Sequence, residues 1–147
     1  MDTGRIGLEI ESSYQVISYP GPTLPEQYQN LVFSKWLRSN RFGNDYMKLI
    51  DSNAYFNAYH NYIESILKRH ECVVRLAVLA DDKDVVLGFS VSEPSVLHYC
   101  HVHKDQRKQG IATSLLPKDI EIFTHLTKTA MSIWNSKYPN WILNPFI

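Results

Sequence analysis

"VLHYCHVHKDQRKQGIATSLL", residues 96–116, is the stretch on which the fold turns. Val96 to His103 is an apolar, aromatic and β-branched run of the kind that forms a strand. Lys104 to Gln109 is a loop of amide and charged side chains, closed by a single glycine, Gly110. Ile111 to Leu116 follows at once as an amphipathic run, and Pro117 ends it. A strand that feeds a helix through such a loop leaves backbone N–H groups pointing out of the turn, at the positive end of the helix dipole. Glycine lets the chain approach a ligand with no Cβ in the way. Arg107 and Lys108 add formal charge, so the stretch is suited to a phosphate or pyrophosphate. It is neither a P-loop nor a GxGxxG dinucleotide loop.

Working outward, the residues before it read as two more strands, over 72–80 and 85–91, with "DDKD" and "EPS" as turns. With 96–103 they form an antiparallel meander. Upstream, Asn53–His70 is a helix: Tyr55, Tyr59, Tyr62 and Ile66 recur at spacings of three and four, and Lys68-Arg69-His70 suit a helix C-terminus. Gln27–Arg38 is a second helix, "SNRFGND" a loop, and Ile6–Ser18 one or two strand pieces. Downstream, "DIEIFTHL" (119–126) reads as a strand. Thr127 caps a helix over Lys128–Ser136, and "YPNWILNPFI" ends in a last strand. The order β-α-α-β-β-β-α-β-α-β makes one α+β domain over 1–147: a mixed, mostly antiparallel sheet flanked by helices.

The 147 residues carry zero formal net charge, and hydrophobic residues make up 44%. That suits one core and argues against a broad nucleic-acid surface. No apolar run approaches the roughly 20 residues that span a bilayer, and the N-terminus has no signal-peptide pattern. Cys72 and Cys100 lie in strand-like runs, so reduced core cysteines and a cytoplasmic protein are expected.

Arg107-Lys108-Gln109-Gly110-Ile111-Ala112, with Val102 before it and Leu115-Leu116 after it, is similar to the acyl-CoA signature of the GNAT acyltransferase superfamily. The resemblance implies an acyl-CoA N-acyltransferase fold, with acetyl-CoA or another acyl-CoA as co-substrate. The pyrophosphate would lie on the backbone from Arg107 to Ala112, helped by the Thr113 hydroxyl. The pantetheine arm would run along the Val102–His103 strand, and an N–H near Val102 would polarise the thioester carbonyl.

The acceptor amine must lose a proton, and this strand offers no carboxylate for it. In the resemblance His98 is the first choice of base and His101 the second, because some arylalkylamine acetyltransferases place histidine on this strand. The competing reading makes these sheet histidines satisfied by hydrogen bonds. Cys100 as an acylated nucleophile and His101-x-His103 as a metal pair are further alternatives; no third ligand stands at useful spacing, and no metal is expected.

The general acid of relatives is a tyrosine four residues after an alanine. Here Ala130 is followed at that spacing by Trp134, and Tyr138, one turn on, is the candidate substitute. The function expected is acetyl transfer to an amine of a small molecule or a protein. Two alternatives stay open: a catalytically degenerate CoA-binding or interaction module, phage-encoded and directed at a host protein, and a DNA-base-modifying relative. A homodimer is compatible with all three.

Overall fold

The structure is a computed structural model that describes residues 14–104 and 110–147. Strand β1 (Tyr14–Pro20) is followed by a short 3-10 turn, Gly21–Thr23. Helices α1 (Glu26–Phe42), α2 (Asp45–Lys48) and α3 (Ser52–Leu67) come next. The meander is β2 (Val73–Leu79), β3 (Asp82–Glu93) and β4 (Val96–Val102). Then come α4 (Ile111–Leu115), β5 (Ile122–Phe123), α5 (Lys128–Lys137) and β6 (Ile142–Leu143). Among the described residues the six strands make one sheet in chain order. The pairings β1–β2, β2–β3 and β3–β4 are antiparallel, and β4–β5 and β5–β6 are parallel. This is the mixed α+β architecture expected.

The main core lies between the meander and the helices α1 and α3. Tyr28, Val32 and Trp36 recur every fourth residue of α1, so they form one buried stripe. It packs with Ile63, Ile66 and Leu67 of α3 on Val74, Leu76, Phe89, Val91 and Tyr99. Trp36 stacks on Tyr99 with ring centroids 5.0 Å apart. Each such side chain contributes roughly 1.5–3 kcal/mol of burial. Helix α3 starts where the Asp51 carboxylate accepts from Ala54 N–H at 3.0 Å.

Several boundaries differ from the sequence reading. Residues 1–13 lie outside the described residues, so only the end of the 6–18 strand is seen. Ser39 to Phe42 of the expected loop are helical, because Arg41 is drawn inward: its Nη2 donates to the Ile50 carbonyl at 2.9 Å and its guanidinium lies over Tyr55. The "DDKD" turn tightens to its first residues, and Asp82 already pairs with Leu79. The 119–126 strand shrinks to Ile122–Phe123, since only those residues find parallel partners in β4 and β6.

One irregularity matters for function. Val91 of β3 pairs with Tyr99, and Ser92 pairs with Leu97, so the register skips His98. Such a bulge re-aims side chains at that point. Leu97 packs with Ile120 and Phe123, and the His98 ring lies between Glu93 and Thr124.

Candidate active site

Strands β4 and β5 pair only at Val96↔Ile122 and Leu97↔Phe123. Beyond that they part, and a cleft of about 690 Å³ opens between them. Tyr99, Cys100, His101 and Val102 line it from β4, and His125 and Thr127 line it from the segment after β5. Gly110, Ala112 and Thr113 stand at one end, Ser39 and Gly43 of the α1 end at another, and α5 with Trp134, Lys137 and Tyr138 along the open side. No Asp or Glu is among the described lining residues.

Gly110 has φ +78°, the left-handed conformation that glycine adopts without strain, and it is the first residue of the turn into α4. A Cβ there would meet nothing within 4 Å, so this backbone borders open space, as a ligand-holding turn requires. Arg107, Lys108 and Gln109 lie outside the described residues. Ile111 is buried and anchors α4 against Ala77, Leu87 and Val102. Ala112 and Thr113 face the cleft. Helix α4 has only five residues, so its dipole is a weak contributor.

The histidines of β4 differ from one another. His98 is 1% exposed, and both of its ring nitrogens are engaged: Nε2 with Glu93 Oε2 at 2.6 Å and Nδ1 with Thr124 Oγ1 at 3.2 Å. Burial lowers its pKa, and the Glu93 carboxylate opposes that. Glu93 also takes Arg69 Nη1 at 2.9 Å. Burial works to raise the Glu93 pKa, but the bonds from His98 and Arg69 outweigh it and hold the carboxyl below its ordinary range. His101 lies in the cleft wall against Phe89, and His103 is exposed. No cluster of three or more metal-ligating side chains occurs among the described residues. Burial pushes the Cys100 thiol up to about 12, which removes the thiolate an acylated nucleophile requires.

His125 was not singled out in the sequence. It sits in a box of Trp36, Tyr59, Tyr62 and Tyr99, with ring centroids 5.4 to 5.9 Å away. Its Nδ1 is 2.8 Å from Thr124 Oγ1, and burial lowers its pKa to about 4. The tyrosine stripe of α3 therefore walls this histidine; Tyr55 is core, its hydroxyl donating to the Leu37 carbonyl at 2.7 Å. Trp134 Nε1 donates to the Trp141 carbonyl at 2.9 Å, and its ring meets Phe123 edge-on at 5.0 Å. Tyr138 ends α5 and stacks on Trp141 at 4.3 Å, on the same cleft as Gly110.

No family model and no curated protein matches the sequence. Solved structures do match the fold. A Pyrococcus furiosus protein assigned as an acetyl transferase superposes with a TM-score of 0.61 at 14% identity, covering 91% of this chain and 96% of that one. An aminoglycoside acetyltransferase from an uncultured soil metagenomic sample, solved in complex with sisomicin, superposes with a TM-score of 0.51 at 15% identity, covering 89% and 91%. The fold is thus the GNAT acyltransferase fold that the Arg107–Ala112 resemblance implied.

Proposed function

We propose that the protein is an acyl-CoA-dependent N-acyltransferase that moves an acetyl group from acetyl-CoA to an amine. The observation that carries this reading is the cleft where β4 and β5 part, with left-handed Gly110 at one end. In this reading the backbone from Arg107 to Ala112 and the Thr113 hydroxyl hold the pyrophosphate. The β4 edge through Val102 and His103 carries the pantetheine arm, and an N–H near Val102 polarises the thioester carbonyl. Ser39, Tyr99, His101 and His125 then face the acceptor. Two histidines of this wall, His101 and His125, are placed to serve as the base, and Tyr138 stands as the acid for the departing thiolate.

The cleft also argues for an acceptor class. A polycationic amine is held by carboxylates, and the described lining has none. Aromatic and small apolar side chains dominate instead. We infer a monoamine on an apolar or aromatic body, rather than a polyamine or aminoglycoside. No helix among the described residues is long and apolar enough to cross a membrane. Two free cysteines, Cys72 and Cys100, fit a reducing cytoplasm.

The second reading, a CoA-binding module without turnover, is favoured by one observation: Trp134 fills the position of the family acid and is spent on packing. Titration calorimetry with acetyl-CoA tests the shared part. Binding near micromolar, on the order of −8 kcal/mol, is expected. Gly110→Glu should weaken it about 100-fold or more, because a strained residue and a negative charge would enter the phosphate site. Gly110→Asn, which tolerates φ > 0, should keep most of it. Unchanged binding in a folded Gly110→Glu protein would overturn the reading. Thiol release from acetyl-CoA with phenethylamine, and not with spermine or sisomicin, then separates enzyme from module and tests the acceptor class.

A further inference from the structure

An unbroken line of polar groups runs from the back of the sheet to the cleft wall. Arg69 Nη1 lies 2.9 Å from Glu93 Oε2, which lies 2.6 Å from His98 Nε2. His98 Nδ1 lies 3.2 Å from Thr124 Oγ1, and Thr124 Oγ1 lies 2.8 Å from His125 Nδ1. Thr124 and His98 are buried; His125 borders the cleft. Strands β3 and β4 and the segments after α3 and β5 meet to make this line, and the bulge at His98 is what turns its ring into it.

Hydrogen-bond chemistry sets the direction of the line. Glu93 is ionised and can only accept, so His98 Nε2 carries the proton. A neutral His98 then has a bare Nδ1. At rest the Thr124 hydroxyl donates to the His98 carbonyl at 3.2 Å, and Nδ1 lies at the same 3.2 Å, so rotation about the Thr124 C–O bond turns its proton to that nitrogen. The Thr124 oxygen in turn accepts from His125 Nδ1–H. That leaves His125 Nε2 with the lone pair of the ring.

We propose that His125 Nε2 takes the proton from the acceptor nitrogen, and that Thr124 passes a proton on to His98, where Glu93 holds the charge. This rests on the acyltransferase reading and assigns the proton path within it. The bound acceptor ammonium loses one N–H proton to His125 Nε2 and attacks the thioester carbonyl as the neutral amine; the surplus N–H proton of the resulting adduct leaves with the thiolate. The Nδ1 proton of His125 moves to Thr124 Oγ1, and the Thr124 proton moves to His98 Nδ1. His125 and Thr124 end neutral, and His98 becomes an imidazolium against the Glu93 carboxylate. The same line run backwards returns the proton to the cleft after product leaves. His98 is thus a positioning and storage residue that does not touch the substrate. The line also removes a difficulty: the aromatic box disfavours charge on His125, so a histidine there could not keep the proton by itself.

Histidine nitrogen NMR on the full chain tests the line without any substrate. His125 should be the Nδ1–H tautomer and His98 the Nε2–H tautomer, and on acidification His98 should charge before His125. His125 as the Nε2–H tautomer, or charging first, would overturn the proposal. The kinetic arm uses acetyl-CoA with phenethylamine. Thr124→Val should lower kcat/KM about 100-fold at pH 7, a general-base scale, with KM for acetyl-CoA unchanged. The loss should shrink steadily toward pH 10, as a growing share of an amine with pKa ~10.4 is already neutral in solution. Thr124→Ser, which keeps the hydroxyl, should stay within about threefold throughout. A Thr124→Val enzyme with the parent rate at pH 7, or an equal loss at every pH, refutes the relay alone. A parent protein that binds no acetyl-CoA refutes the acyltransferase reading, and the catalytic role of the relay with it.

Discussion

The sheet has two halves built to different rules. From β1 to the start of β4 the strands are long and antiparallel, paired along most of their length with bulges near Val78 and His98, and α1 and α3 cover them with aromatic side chains. From β4 to β6 the strands are parallel and pair over two residues each. The first half is where free energy of folding accumulates. The second holds its strands together only long enough to let them part, and the parting is the cleft. Stability and opening are thus assigned to different strands, with β4 belonging to both.

The largest effect should come from the first half. Trp36 is fully buried, stacked on Tyr99 and edge-on to His125. Trp36→Ala should lose about 3–5 kcal/mol in urea unfolding. Trp134 on the cleft side is half-buried, with one main-chain hydrogen bond. Its alanine variant should lose roughly 1–2 kcal/mol, since its burial is partial and water already reaches the wall. Equal losses would mean that the parting half is as tightly built as the meander, and the comparison would fail.

The next effect sharpens the boundary between the halves. His125 has its pKa lowered to about 4 by burial, against 6.5 for an ordinary histidine. The unfolded chain therefore takes up a proton that the folded one refuses. Stability is full above pH ~6.5 and falls as pH drops toward ~4, by about 3 kcal/mol for this group. His98, also lowered, adds to the same window. The groups facing these two rings are Glu93, Arg69, Tyr59, Tyr62 and Tyr99. Burial raises the three tyrosines and holds them neutral there. Glu93, lowered, begins to take up its proton only at the acid end. Urea midpoints at pH 7, 5.5 and 4 should follow this slope, and His125→Leu should flatten most of it. A parent stability that is flat from pH 7 to 4 would contradict the burial of both rings.

These halves were not equally legible in the sequence. The meander, the α3 periodicity and the strand–Gly110–helix passage are local patterns, and they survive as β2–β4, α3 and the left-handed turn into α4. What local pattern cannot carry is register. The bulge at His98 depends on which residue of β3 faces Tyr99, and Glu93 reaches His98 only because of it. Thr124 and His125 lie in a stretch read only as a strand, and nothing in its pattern gives them a role. They acquire one because β5 stops after Phe123 and its tail turns past His98. Arg41 extended α1 through an expected loop by a tertiary contact, which propensity does not register. His98 is the first choice of base from its place on the strand before the loop, and that both its ring nitrogens are engaged is something the sequence had no means of giving.

The smallest expected effect tests the open side of the cleft, at Tyr138. Its ring stacks on Trp141 at 4.3 Å, nearly parallel at 11°, and its N–H caps α5 by donating to the Trp134 carbonyl at 3.2 Å. The ring and the backbone do the structural part, and the described residues make no hydrogen bond to the hydroxyl. Tyr138→Phe keeps the stack and the cap, so its stability should stay within ~0.5 kcal/mol of the parent. If the hydroxyl protonates the departing thiolate, kcat for acetyl transfer to phenethylamine should fall at least ~10-fold with little change in KM for acetyl-CoA, the pattern of an interaction made only in the transition state. Trp134 stands one turn earlier on the same helix and faces the same cleft. Its indole N–H is far too weak an acid to help, but a phenol there would lie where the acyltransferase resemblance puts the acid. Trp134→Tyr in the Tyr138→Phe background should therefore recover several-fold of the lost rate, despite losing the bond to the Trp141 carbonyl. Loss at Tyr138 with no recovery from Trp134→Tyr would fix the acid at 138 by geometry. No loss at Tyr138 at all would leave the thiolate departing unprotonated, and would remove α5 from the chemistry.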